Sequence, residues 1–263
     1  MMKRKFLLIV CFMVLVGFVS TPVYAHFLWL TVDNYNPSPG QEIAINIGWG
    51  HKFPRDDQPR AKMVRKMTLF LVNPQGKKIS LSIKPKGEKG VVEPIKVKLK
   101  DQGTYLAVLA VRTFVSKTIG GYFYKPKNEL KNVLKSFWYE PVAKAIINVG
   151  APGGNTYKKR LGYQFEIVPL ENPANIKEGD MLPVYCLLKG KPTKAWIYAT
   201  YAGFSTLRNT FAWTIHTDKN MIAKVKILKK GLWLVKTEDS LPYKDPSKAD
   251  SYKFISTLTF EIK

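Results

Sequence analysis

Short runs in which apolar and polar residues alternate fill most of this chain, separated by clusters of Gly, Pro, Asn and Asp. Residues 42–49 set the pattern: Ile43, Ile45, Ile47 and Trp49 fall on one face. A period of two sends alternate side chains to opposite faces of a half-buried strand. His51 is in phase with that face, just past the strand end. Residues 26–33 read as an earlier strand, and Asn34-Tyr35-Asn36-Pro37-Ser38-Pro39-Gly40 is turn material. Residues 66–72 and 77–83 flank Asn73-Pro74-Gln75-Gly76, a hairpin signal. Residues 94–100 alternate again, Asp101-Gln102-Gly103 turns, and 104–113 returns. Asp101-x-Gly103-x-Tyr105 fits the corner at which immunoglobulin-like sandwiches bond a tyrosine back to the turn.

The same plan recurs further on. Lys177-Glu178-Gly179 opens a strand at 181–188, as Pro39-Gly40 opens the earlier one. Gly190-Lys191-Pro192 turns into 195–201, Thr217-Asp218-Lys219-Asn220 turns into 221–228, and 253–263 closes the chain. Gly231-x-Trp233 echoes Gly103-x-Tyr105. Residues 128–139 differ, because apolar residues at 130, 133, 134, 137 and 138 have a helical spacing. Pro141 then ends or kinks that helix. The expected fold is all-β: two immunoglobulin-like β-sandwich domains, 26–160 and 161–263, with a partly helical insert at about 114–155.

The N-terminus adds a compartment. Lys3-Arg4-Lys5 precedes an apolar run at 6–19, and Val23-Tyr24-Ala25 supplies small residues at −3 and −1. This is the layout of a signal peptide, with cleavage expected after Ala25. Fourteen apolar residues span about 21 Å as a helix, too short for a bilayer core. Cys11 lies inside the run, not at a lipoprotein site. The chain is therefore expected in the periplasm or outside the cell.

Charge is read in that light. The chain carries 42 Lys and Arg against 19 Asp and Glu, a formal +23. Loss of Lys3, Arg4 and Lys5 leaves about +20. In the cytoplasm such an excess points to nucleic acid. Export replaces that partner with the anionic groups of the cell envelope. Cys186 alone remains after cleavage, so no internal disulfide forms, and its apolar setting at 182–188 suggests a buried thiol.

Cleavage after Ala25 makes His26 the first residue, with an α-amine and an imidazole on one residue. An antiparallel pairing of strands one and two brings His26 beside His51. One amine and two imidazoles are borderline nitrogen donors, suited to Ni(II), Co(II), Cu(II) or Zn(II) and not to Ca or Mg. The competing reading leaves His26 as a bare terminus and His51 as a loop residue. His216 is a third candidate from the other domain. No Gly-x-Ser-x-Gly elbow, phosphate-cradling loop or His-Glu-x-x-His occurs, and no enzymatic activity is expected.

His26-Phe27-Leu28-Trp29-Leu30, Pro39-Gly40 and Gly50-His51-x-Phe53-Pro54 form an ordered set with Ala143-Lys144-Ala145. Gly190-Lys191-Pro192, Thr217-Asp218 and Gly231-x-Trp233 complete it. In this order the motifs resemble an exported bacterial two-domain family, the nickel uptake transporter family, long catalogued as a domain of unknown function. That family is described as the periplasmic component of a cobalt/nickel ABC-type transport system. The resemblance implies an extracytoplasmic nickel- or cobalt-binding protein that serves the membrane components of an ABC-type metal transporter. His26 and His51 match the family's histidines, whereas His216 matches none. The family's glycine after Thr-Asp-x-x is Met221 here. Alternatives are a copper carrier, a copper monooxygenase of the N-terminal-histidine kind (Trp49, Phe53 and Trp138 supplying aromatics), and a metal-free structural envelope module.

Overall fold

A computed structural model of the protein describes residues 26–57, 59–86 and 91–263. The expected signal peptide at 1–25, with Cys11, lies outside the described residues. The described chain is nearly all β, with sheets stacked face to face. No helix among the described residues is long and apolar enough to cross a membrane.

Three layers make the body. The middle layer is a ten-stranded sheet. Its main path runs Trp213–His216, Trp196–Tyr201, Gly231–Pro242, Ser251–Ile262, Val133–Val149, Gly103–Val111, Met67–Val72 and Lys78–Leu81. One face is covered by a three-stranded sheet of Phe27–Val32, Glu42–Gly50 and Ile95–Lys98. The other is covered by a four-stranded sheet of Phe165–Pro169, Met181–Leu188, Lys191–Thr193 and Ile222–Lys226. The middle strands are thus buried on both faces, which demands apolar residues at consecutive positions. Gly103–Val111 is buried throughout. Leu69, Ala107 and Ala145 enter one core, while Phe70, Leu106 and Ile146 enter the other.

Both cores draw on both halves of the chain. The sequence suggests a boundary near 160, yet Val133–Val149 and Ser251–Ile262 pair in parallel from Phe137 with Ser251 to Ala145 with Thr259. Hydroxyls on that last strand serve both outer layers. Thr257 and Thr259 donate to the carbonyls of Leu28 and Leu30 at 2.8 and 2.7 Å, and Ser256 Oγ accepts from Ile167 N at 2.9 Å. The two threonine bonds satisfy carbonyls on the first strand's outer edge, and the serine satisfies an N–H of the opposite layer.

The helix expected at 128–139 does not form. A single 3-10 turn, Lys127–Glu129, is followed by the strand Val133–Val149. Asn132 adopts φ 53°, which breaks a helix. The pairing with Thr113–Thr118 then shifts register between Val133 and Lys135. One extra residue, Leu134, inserts into a period-two run and mimics helical spacing. Strand pairing on both sides decides the outcome.

The repeated plan is visible in detail. Asp101 N donates to Tyr105 Oη at 3.0 Å, the tyrosine corner, and Trp233 Nε1 donates to Lys229 O at 2.7 Å, again four residues back. Gly40 N bonds Leu99 O while Leu99 N bonds Gln41 O. Likewise Gly179 N bonds Ile227 O and Ile227 N bonds Asp180 O. Cys186 is buried, and burial pushes its thiol up to about 12.

Candidate functional site

Residue 26 begins the site. Phe27–Val32 pairs antiparallel with Glu42–Gly50, starting at Phe27 opposite Gly50. His26 and His51 stand one step beyond that pair. Their ring centroids are 4.5 Å apart, tilted by 44°. His26 also stacks on Trp49, with centroids 5.4 Å apart and planes within 4°. Tyr139, buried, donates its hydroxyl to the His26 carbonyl at 2.8 Å and holds the start of the strand in place.

Two glycines make room for this corner. A Cβ on Gly48 would lie 2.0 Å from the indole nitrogen of Trp29, its partner across the ladder. That nitrogen donates to Pro54 O at 3.0 Å, tying down the chain beyond His51. A Cβ on Gly50 would lie 2.3 Å from Asp56 Oδ2, and Gly50 has φ +142°. Asp56 Oδ2 accepts from His51 N at 2.6 Å and Lys52 N at 3.1 Å. The Asp56 carboxyl is raised by burial, but those two N–H groups and the charges of Lys52 and Arg208 outweigh it and leave it below its ordinary value.

The second half reaches across to the corner. Asn209, in the loop between Trp196–Tyr201 and Trp213–His216, donates its N–H to His51 O at 2.9 Å. Asn209 Oδ1 lies 3.1 Å from His51 Nδ1. A carbonyl oxygen there accepts a hydrogen bond from Nδ1–H, the tautomer whose neutral ring carries its lone pair on Nε2. Burial first, then the proximity of His51, holds His26 below its ordinary value; Asp57 and Asp56 pull against this, and Arg208 adds to it. That shift favours the neutral form of the His26 imidazole, the form that can ligate. Beside it, Lys236 is buried beneath Phe27, its Nζ 5.3 Å from that ring and 3.0 Å from Glu238 Oε1.

His26 and His51 are thus brought together. His216 is elsewhere, on the outer strand of the middle sheet. Its ring meets Trp196 edge-on at 5.1 Å, and its Nδ1 lies 2.9 Å from Thr217 O. Asn209, Asp56 and Tyr139 are the site residues that sequence reasoning misses. Tyr139 is hidden inside the expected helix, and Asn209 is one polar residue in a long connection. Among the described residues no cluster of three or more His, Cys, Asp or Glu side chains is arranged to hold a metal ion. Among the described residues, two imidazoles are what the side chains bring together at this corner.

Fold and site together define a layered β-sandwich protein with a two-histidine corner. The chain belongs to the DUF4198 family, a domain of unknown function, whose profile matches residues 23–240. No curated protein matches it. Among solved structures, a DUF4785 family protein from Legionella pneumophila is similar at 10% identity and TM-score 0.30, over 82% of this chain and 53% of that one. Salmonella alpha-2-macroglobulin reacted with methylamine matches at 11% identity and TM-score 0.25, over 89% of this chain and 15% of that one. Murine CEACAM1b matches at 13% and TM-score 0.21, over 90% of this chain and 98% of that one. The chain spans about half the length of the Legionella protein.

Proposed function

We propose that this is an exported, non-enzymatic binding protein for a late first-row transition metal, nickel or cobalt, serving an ABC-type uptake system. The observation that supports this reading most is the approach of the His26 and His51 rings to 4.5 Å at one end of the first sandwich. That separation is short enough for both rings to reach one ion at the roughly 2.0–2.1 Å typical of metal–imidazole bonds. The oxygen of Asn209 on His51 Nδ1 is the kind of outer partner that fixes a ligating tautomer. In the full chain the nitrogen of His26 is a peptide amide. Cleavage after Ala25 converts it to an amine, the third donor. A nitrogen set of this kind binds copper and zinc as well as nickel and cobalt.

Native mass spectrometry of protein purified from an exporting host, with Ni, Co, Cu and Zn offered in turn, tests this. The expected species begins at His26, holds one metal ion, and loses it on His51→Ala. An α-amine of ordinary pKa near 8 must lose its proton to bind. Protonation of the amine alone should therefore lower affinity about tenfold per pH unit below that value, roughly a hundredfold between pH 7 and 5. The His26 imidazole, held below its ordinary value by burial and by His51, competes for protons less than a free imidazole does. A chain that begins at His26 and holds none of the four metals refutes the proposal. Consumption of peroxide by the copper-loaded form with a polysaccharide would replace it with the monooxygenase reading.

A further inference from the structure

Four exposed apolar residues gather on one wing of the middle sheet, far along the sequence from the histidine corner. The hairpin Thr113–Thr118 and Gly121–Phe123 pairs with the first part of Val133–Val149. Ile119 is 78% exposed, Leu134 63%, Tyr122 51% and Phe123 41%. Water-facing apolar side chains grouped this way mark an interaction surface.

Charge says what kind. From 112 to 135 the chain carries Arg112, Lys117, Lys125, Lys127, Lys131 and Lys135 against Glu129. Lys125 is paired with Glu129 at 3.7 Å and Lys127 with Asp250 at 2.5 Å, and Asp250 also feels Lys135. Among the described residues Lys117 and Lys131 have no carboxylate partner. The register places Tyr122, Lys117 and Lys135 in one row across three strands, with the two lysines directly opposite each other. Like charges in that position destabilise a sheet. An anion lying over the row would remove the cost.

The wing is also pre-formed. Thr118 Oγ1 accepts from Gly120 N and donates to Gly121 O, so the tip's backbone is partly satisfied internally. Beneath it, Ser116 Oγ and Ser136 Oγ lie 2.7 Å apart and Asp250 accepts from Ser136 N at 2.7 Å, anchoring the wing to the body.

We infer that this hairpin, with the bulged Leu134 beside it, docks on an anionic phospholipid bilayer. Ile119 and Leu134 enter the headgroup boundary, and Lys117 and Lys135 meet lipid phosphates. Aliphatic tips backed by cations are the pattern of an interfacial anchor. Nucleic acid is not the partner expected outside the cytoplasm, and Ile119 and Leu134 lack the ring on which bases stack. Strand addition by another protein has only the three residues Gly121–Phe123 to use.

The exported protein carrying Ile119→Cys takes a single environment-sensitive fluorophore there, because Cys186 is buried and unreactive. Titration with phosphatidylcholine vesicles containing phosphatidylglycerol should shift its emission to the blue. Pure phosphatidylcholine should not, and high salt should reverse the shift. Replacing Lys117 and Lys135 together by glutamine should weaken binding about 25-fold, roughly fivefold per lysine. The exposed Lys189, Lys191 and Lys194, replaced together, should leave binding within about twofold, because the wing, not general basicity, carries it. Unchanged thermal melting shows that each variant is folded. Failure to bind anionic vesicles overturns the inference. So does equal weakening in the two lysine sets, or a bound protein whose label stays in water.

Discussion

The two outer layers follow a similar plan, with three strands in one and four in the other, and they part at one corner. In the first, Phe27 pairs with Gly50 and the next residues outward are His26 and His51. In the second, Phe165 pairs with Leu188 and the next residues are Gln164 and Lys189, joined by a 2.7 Å backbone bond. There the chain turns back at once through Lys189 and Gly190, both at positive φ, into Lys191–Thr193. After His51 it instead runs on through Lys52, Phe53 and Pro54 to Asp56, which bonds the backbone of residues 51 and 52. The sandwich plan needs no histidine at this corner, since the second layer is built without one. The imidazole pair in the first is an addition to that plan.

If the comparison concerned two independent domains, each would fold alone. The shared middle sheet predicts otherwise. Residues 161–263 by themselves leave Ser251–Ile262 without its parallel neighbour Val133–Val149 and strip Phe70, Leu106 and Ile146 from the second core. That fragment should lack a cooperative unfolding transition and near-ultraviolet dichroism, while the whole chain should unfold in one step. A fragment that melts cooperatively would restore two separate domains.

The seam between the halves comes next. Lys144, from the first half, reaches Glu166, from the second, at 3.3 Å with both side chains buried. Glu166 also accepts from the N–H groups of Leu161, Gly162 and Tyr163. Burial pulls the Lys144 ammonium below its ordinary value, and the Glu166 charge partly restores it. Lys144→Ala strands a buried carboxylate and should cost about 3–5 kcal/mol in denaturant unfolding. Lys144→Met together with Glu166→Gln should recover part of that loss, because neither buried charge then remains.

The two corners can be set against each other through their glycines. Gly48→Ala drives a methyl into the Trp29 indole and should cost about 3 kcal/mol, near the upper end for overpacking. Gly190 has φ +78° and nothing within 4 Å of a Cβ. Gly190→Ala meets only the backbone penalty of the left-handed region, about 1 kcal/mol. Equal losses would mean that the histidine corner is no more tightly built than its counterpart.

The strands and the His26–His51 pair were legible because each rests on local pattern. Alternation at 42–49, the turn at 34–40 and antiparallel pairing together put His51 beside His26. The layering was not legible. A run such as Thr104-Tyr105-Leu106-Ala107-Val108-Leu109-Ala110-Val111 says that both faces are buried, but not which sheets cover them. The extra residue Leu134 turned a strand into a false helix and hid Tyr139. Asn209 depends on a contact 158 residues away in sequence, which no local pattern records.

Asn209 gives the finest test of the difference between the corners. If it serves only to fasten a loop, Asn209→Ala should lower stability by about 1 kcal/mol, the worth of one hydrogen bond, and leave metal affinity alone. If the His51 tautomer is what it holds, affinity for the added ion should fall about tenfold, the lower end for an outer partner of a ligating histidine. Asn209→Asp keeps an oxygen on Nδ1 and should retain most of the affinity, which a purely structural role does not require. Calorimetric titration of the exported protein with Ni(II) reads this directly. A control at the second corner, Lys189→Ala at the position that answers His51, should leave the titration unchanged, because no imidazole stands there to be oriented.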